Sequence, residues 1–466
     1  MSLEGIYTEF KPRGTQGARG SGRGFCIGCE VFFPAFVPVN PRESPWRISG
    51  GRSSLSGRRG TQSAPHWPGR GERWCSVSAS ASTAGEKSTA VAPAAGPHSS
   101  GAAARRVQFS HSLLVTSTHD TKRSEDVRAR IAALSEMPQE WARAVRHWQR
   151  INRCHRREIS GEMAPDVNEE YLLYQTLLGS WPIAAMDREE HDAYMNRIQA
   201  YMVKALHEAK VNSSWVEPNA AWDKSVSAFV GAILESDRRN RFLPSFQPLA
   251  RRIAEIGAIN ALSQTVLKLT VPGVPDIYQG NEMWDFSLVD PDNRRPVDYD
   301  LRRPSLAQIR TGVMATDLLE SWSDGRIKLL VTTRLLQFRR DHPTLFSKGE
   351  YLPENAEGSL AENVIAFRRR TPEAEILVVT PRFSSQVAFP PIGEKWGETK
   401  LANELLGEWR ELFTGATSKV GRPFRVADLM RDLPVAVWFT PLDQNRIPAS
   451  DLVVKVSNWV GAPIAH

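Results

Sequence analysis

From Phe109 onward, the spacing of apolar residues predicts an ordered series of elements. SLLVTST is a short β-branched, apolar run of the kind buried on both faces in a parallel sheet. Helical spacing follows. In SEDVRARIAALSEM, Val127, Ile131 and Leu134 share a face; in PQEWARAVRHWQRIN, Trp141, Val145 and Trp148 do so. EEYLLYQTLLGSW, EEHDAYMNRIQAYMVKALHEAK and WDKSVSAFVGAILES continue the helices, and FQPLARRIAEIGAINALSQTVLKLT predicts a long one. It leads into VPDIYQG, a second buried strand bracketed by Gly273 and Gly280. Past about residue 325, RIKLLVTTRLLQFRRDHPTLF predicts a further helix. VIAFRRR, EILVVTPR, WRELFTG, PVAVWFT and DLVVKVS then read as antiparallel strands of a small β domain.

Residues 1–106 lack this patterning. They are dominated by Gly, Ser, Arg, Ala and Pro, and FCIGCEVFFPAFVPV is their one apolar island. Such a segment buries too little surface to offset its ordering entropy, so it is expected to be disordered. No Asp precedes Asp120, which suits translated sequence from outside the protein's own frame, or a wrong start, better than a natural flexible extension. Three regions are therefore expected: 1–106, 107–325, and 326–466.

Composition narrows the class. The chain has 466 residues, 41% hydrophobic and 24% charged, as in a soluble globular protein. No run approaches the roughly 18 apolar residues of a membrane span, and no membrane partner is expected. The N-terminal MSLEGIYTEFKPRG shows no secretory pattern, so the cytoplasm is the default location. Cys26, Cys29, Cys75 and Cys154 are too few for a disulfide framework, and the single C-x-x-C lacks a second pair for zinc. The net charge of +7 is spread beside acids, as in ESDRRNR, rather than massed, so no nucleic-acid partner is expected.

The most chemically loaded stretch is LLVTSTHDTKR, a strand ending in His119–Asp120. Alone, such an Asp reads first as an N-cap hydrogen-bonded into the following turn. Its context says more. A strand ending in His-Asp, a helical stretch, then a strand entering GVPDIYQGNE resembles the last two strands of the catalytic barrel in the α-amylase clan, glycoside hydrolase family 13. THDTKRSEDVRARI, NEEYLLYQTLLGSWP, HEAKVNSSWVEPN, DPDNRRPVDYD and ELFTG extend the likeness to the maltooligosyl trehalose synthase family, over about residues 109–466 and to the C-terminal part of that family alone.

The resemblance implies an α/β chain: the C-terminal remnant of a (β/α)8 TIM barrel, with a helical insertion over about 121–265, then a small antiparallel β domain. It implies a maltodextrin (maltooligosaccharide) substrate and no cofactor or metal. The reducing-end α-1,4 bond would become an α,α-1,1 bond, giving maltooligosyl trehalose, and the insertion could close the pocket against water. Retaining transfer needs a nucleophilic carboxylate and an acid/base about 5–5.5 Å apart; a third carboxylate stabilises the transition state. Asp120 matches that third carboxylate, and His119 the imidazole that holds a sugar hydroxyl. Lys122, Arg123, Lys210, Trp215, Asp290, Asn293 and Arg294 are the candidate substrate contacts, with Arg295 and Asp298 in the same cluster. Asp276 and Glu282, on what would be the final barrel strand, are not expected to be catalytic. Trp141, Trp148, Trp181 and Trp222 are expected in the core rather than as sugar platforms.

The family's nucleophile and acid/base precede the His-Asp line. Here no Asp lies upstream, and Glu4, Glu9, Glu30, Glu43, Glu72 and Glu86 sit in non-periodic sequence. The chain is therefore expected to be a truncated or mis-started member, inactive alone. The alternatives are a related α-glucan hydrolase or trehalohydrolase, or a non-catalytic glucan-binding remnant; DTKRSEDVRAR and DPDNRRPVDY favour the synthase.

Overall fold

The apolar stripes predicted from sequence pack into three clusters. The structure, a computed structural model, describes residues 97–442 apart from positions 238, 405, 406, 421 and 422. The chain runs through α1 (Pro97–Gln108), β1 (Leu113–Leu114), α2 (Glu125–Ala133), α3 (Pro138–Asn152), and a hairpin of β2 (Arg157–Ile159) and β3 (Glu162–Ala164). Then come α4 (Val167–Ser180), α5 (Arg188–Ala209), α6 (Ala220–Leu234), α7 (Phe242–Thr270) and β4 (Val274–Pro275). Helices α8 (Tyr299–Thr311) and α9 (Arg326–Asp341) lead to the strands β5 (Glu350–Glu354), β6 (Ala356–Glu357), β7 (Val364–Arg370), β8 (Ala374–Pro381), β9 (Lys400–Glu404), β10 (Gly407–Glu411), β11 (Thr417–Val420), β12 (Pro423–Arg425) and β13 (Ala436–Pro441).

The first cluster is helical. Val127, Ile131 and Leu134 from the α2 stripe meet Trp141, Val145 and Trp148 from α3, together with α4, α5, α6 and the first half of α7. Trp141, Trp148 and Trp222 are buried there and Trp181 packs against them, so all four belong to the core. The second half of α7 instead joins α9 and one face of a sheet ordered β11-β10-β13-β8-β7-β5, whose pairings are antiparallel. Period two divides β8 (Ala374–Pro381) between clusters. Ile376 and Val378 join the second cluster, on the side of α7, while Leu377 and Val379 face a third cluster with Trp409, Phe424 and Trp438. Burial on both faces explains why this strand reads as an unbroken apolar run.

Several expectations need correction. Residues 97–106 were expected to be disordered, yet they form most of α1; Ala102 is buried, and Arg106 Nε donates to the Gly349 carbonyl at 2.9 Å. An alanine-rich stretch helices well, and tertiary contacts hold this one. The expectation for residues 1–96, the C-x-x-C and DLVVKVS lie outside the described residues.

The SLLVTST strand is also not buried on both faces. Only Leu113 and Leu114 pair, in parallel with Val274 and Pro275, and among the described residues no third strand joins them. Leu114 is buried, but Leu113 is 65% exposed and Val274 43%. The structure therefore shows mixed helix and sheet with a two-stranded parallel pair. No helix is long and apolar enough to cross a membrane among the described residues.

Candidate functional site

The site begins where β1 ends. The parallel pair is joined by Val274 N–H to Ser112 O (2.9 Å) and Asp276 N–H to Leu114 O (3.0 Å), so both chains leave the pair side by side. After β1 the backbone is tied down at once: Lys268 Nζ donates to Thr116 Oγ1 (2.7 Å) and Glu125 N–H to Ser117 Oγ (2.9 Å). Next comes a tight turn. Thr121 N–H donates to Thr118 O (3.2 Å), Thr118 N–H to Thr121 Oγ1 (2.6 Å) and Asp120 N–H to Thr118 Oγ1 (3.2 Å). This turn lifts His119 and Asp120 into solvent, their side chains 66% and 76% exposed. Asp120 caps nothing, because the N-cap of α2 is Ser124.

A second loop, after β4, closes on the first. Asn293 Nδ2 donates to the carbonyls of Thr118 (3.3 Å) and His119 (3.0 Å), clamping the turn. Arg294 Nη2 stands 3.8 Å from Asp120 Oδ1 and 3.6 Å from Asp290 Oδ2, and His119 Nε2 lies 3.2 Å from Asp120 Oδ2. Helix α5 supplies the far wall. Lys204 Nζ donates to Asp290 at both its carbonyl and Oδ1 (2.7 Å each), and Lys122 Nζ pairs with Glu208 Oε2 at 2.6 Å. The Lys204 hydrogen bond holds the Asp290 carboxyl below its ordinary range; the Glu208 hydrogen bond pushes Lys122 up. Charges thus alternate along one line: Lys122, Glu208, Lys204, Asp290, Arg294, Asp120.

His119, Asp120, Lys122, Asp290, Asn293 and Arg294 are therefore brought together. Arg123 is not: its Nη2 donates to Thr176 Oγ1 at 2.9 Å, on the helical side. Lys210 is the exposed left-handed C-cap of α5, two residues past Glu208. Trp215 is 60% exposed and sets its ring edge-on to His207, centroids 4.6 Å apart. Asn212 is occupied structurally, donating to Asp166 Oδ2 (2.9 Å) and Glu169 Oε1 (2.8 Å). Asp298 caps α8 by accepting from Leu301 N–H, and Glu282 pairs with Arg302.

Beneath the turn lies a charge network that residue spacing did not reveal. Lys328 Nζ meets Glu125 Oε1 (2.8 Å) and both Asp126 oxygens (2.9 and 3.0 Å), and Lys268 Nζ reaches Glu125 Oε2 (3.1 Å). Asp126 also accepts Asp285 N–H at 2.8 Å, which ties in the second loop. All four charged side chains are essentially fully buried. Burial works to raise the Glu125 carboxyl, but Lys328 and Lys268 outweigh it and hold it well below the usual range. Charged residues in helical sequence read as surface, so spacing alone does not mark this network. Arg197, Lys204 and Glu208, seven and four residues apart along one helix face, were the signal for the α5 wall.

Chemically, the surface offers an imidazole, a carboxylate, a guanidinium and an ammonium, donors and acceptors suited to vicinal hydroxyls. No group of three His, Cys, Asp or Glu that could hold a metal ion occurs among the described residues.

Comparison with known proteins gives the context. No protein-family model matches the chain. A curated protein from each of two Mycobacterium tuberculosis strains, named provisionally as a maltooligosyl trehalose synthase, is 37% identical over 339 residues. The match takes in 72% of this chain and 38% of the relative, so the chain spans about two fifths of the length of the curated relatives it matches. Among solved structures, the maltooligosyltrehalose synthase of Arthrobacter ramosus superposes with a TM-score of 0.59 at 32% identity, over 73% of this chain and 40% of that one. A hypothetical maltooligosyl trehalose synthase from Sulfolobus tokodaii gives 0.53 at 31%, over 71% and 39%.

Proposed function

Because this chain is kin to the maltooligosyl trehalose synthases over the stretch it shares with them, we propose that it takes maltooligosaccharides and serves their reaction. That reaction is the internal transfer of the reducing-end glucose from an α-1,4 to an α,α-1,1 bond. In this reading β1 and β4 are the last two strands of a (β/α)8 barrel, residues 107–325 the barrel portion with its helical insertion, and 326–466 a helix with the C-terminal β domain. The protein works in the cytoplasm without cofactor or metal.

One observation carries the reading: the loops leaving the C-terminal ends of two neighbouring parallel strands converge on Asp120. That is the end of a parallel sheet where α/β enzymes bind their ligands. Asp120 is then the carboxylate facing the oxocarbenium-like transition state. His119, Lys122 and Arg294 hold hydroxyls, with Asp290 behind Arg294 and Asn293 bracing the turn rather than meeting the sugar; Lys210 and Trp215 extend the sugar path along the end of α5, and Arg123 supports the turn from behind. The ion-pair partners of Asp120 among the described residues are His119 and Arg294. Asp290, which shares Arg294 with Asp120, is held by Lys204 and stays a supporting group in this reading, so this surface supplies one third of a carboxylate triad.

Calorimetric titration of the purified chain with maltopentaose, with products assayed for loss of reducing ends, tests this. Binding without turnover is expected, weakened about tenfold by His119→Ala or Arg294→Ala, a loss of about 1.4 kcal/mol. Absence of binding sinks the substrate reading. Robust turnover overturns the division of the triad.

A further inference from the structure

Arg197 and Lys204 stand seven residues apart on α5, two turns along one face. Each grips one carboxylate of the loop after β4. Arg197 Nε donates to both Asp292 oxygens at 2.9 Å, and Lys204 Nζ donates twice to Asp290 at 2.7 Å. Arg197 also reaches the Phe286 carbonyl, and Asp292 Oδ2 accepts Leu288 N–H at 2.7 Å. The loop is therefore held at three points before it delivers Asn293 and Arg294.

Those two residues carry the hold onward. Asn293 clamps the Thr118 and His119 carbonyls through its Nδ2, and the side chain is buried, so the turn moves with the loop that bears it. Arg294 is shared between Asp290 and Asp120. The charge balance depends on Lys204. With Lys204 on Asp290, Arg294 has a carboxylate to spare; without it, Asp290 would draw Arg294 to itself. The pairs are also shielded enough to matter, with side-chain exposures of 20% and 14% for Arg197–Asp292 and 20% and 33% for Lys204–Asp290. Fully exposed pairs would contribute little.

We propose that Arg197 and Lys204 are positioning residues, which set the His119–Asp120 turn from α5 through the loop that bears Asp290, Asn293 and Arg294. The inference rests on the reading that this turn meets the glucan, but its first test does not. Hydrogen–deuterium exchange in the full chain is followed over segments 116–123 and 286–296 in wild type, Arg197→Met, Lys204→Met and Lys204→Arg. Both segments should exchange about fivefold faster or more in the two methionine variants, while Lys204→Arg stays near wild type, because local opening follows lost tethers. Acceleration confined to 286–296 overturns the proposal. Should a methionine variant fail to fold, Asp290→Asn removes the Lys204 charge pair from the other side and is expected to behave alike.

The second arm measures maltopentaose binding, expected to weaken about tenfold in Lys204→Met and to recover in Lys204→Arg. Unchanged affinity with both segments loosened overturns the link to the ligand. If wild type binds no maltopentaose, the proposed function falls while the exchange arm still decides whether α5 sets the turn.

Discussion

Lys328 sets the terms for what single residues contribute. Its ammonium, with no exposed surface, lies against both Glu125 and Asp126. A buried ion pair is weak evidence of net stabilisation, but removing one partner strands the other charge at a cost of about 3–5 kcal/mol. Lys328→Met is therefore expected to destabilise the chain by about that much in urea denaturation, and to loosen Ser117 and Asp285, which hang on the same network. Glu411 behaves differently. Burial pushes its carboxyl up to about 7, against hydrogen bonds from the Thr414, Val437 and Phe413 N–H groups and the Thr414 hydroxyl. A raised folded-state value means the folded chain holds the proton after the unfolded chain, titrating near about 4.3, has lost it. Its stabilising contribution is complete below about pH 4.3 and is lost as pH rises through about 7. Thermal unfolding temperature is expected to fall between about pH 5 and 7.5, and Glu411→Gln to flatten that fall; an equally steep slope in the variant would assign it to other groups.

At the scale of elements, the α2–α7 crossing depends on a missing side chain. A Cβ on Gly257 would come 2.3 Å from Arg130 Cγ and 2.9 Å from its Cα. Alanine is the better helix former by up to about 1 kcal/mol, while overpacking of this kind costs about 1–3 kcal/mol. Gly257→Ala is expected to be destabilising on balance, by about 1–2 kcal/mol in equilibrium unfolding. The long helix itself was legible, since its apolar stripe spans many turns; its need for glycine was not, because a partner helix imposes it. The β2–β3 hairpin has only its Ser160–Gly161 turn as a mark in sequence; in the structure both residues take positive φ, 53° and 90°, as a two-residue hairpin turn requires. The flanking strands are three residues each and half exposed, too short to show a period.

Across the whole molecule, Arg369 joins the helical part to the β sheet. From β7 (Val364–Arg370) its guanidinium donates to Thr270 O at the end of α7 (2.9 Å) and to the Leu345, Phe346 and Gly349 carbonyls (3.2, 3.0 and 3.1 Å). Arg339 caps the same helix end through Leu269 O at 2.7 Å. Two cations thus complete carbonyls that a helix C-terminus leaves open. Arg369→Leu strands those buried acceptors and is expected to cost about 2–4 kcal/mol, with thermal unfolding expected to split into two transitions as the sheet loses its tie to α7. A single transition with an unchanged midpoint would show that apolar contacts alone hold the two parts together.

Sequence by itself determined the order and kind of the main helices and central β strands, because amphipathic period is a local property that each segment carries alone. It also singled out His119–Asp120 and the Asp290–Arg294 loop, since polar residues crowded at a strand end stand out against an apolar background. Tertiary structure decided the rest. It put α1 where composition pointed to disorder, left Leu113 and Val274 half of a two-stranded pair rather than a covered sheet, and turned Arg123 away from the surface where Lys122 stays. Above all, it chose which charges meet. Glu125 with Lys268 and Lys328, or Lys204 with Asp290, are partners 143, 203 and 86 residues apart in the chain. A charge carries no mark in sequence of the distant charge it will neutralise, and only the fold brings the two within reach.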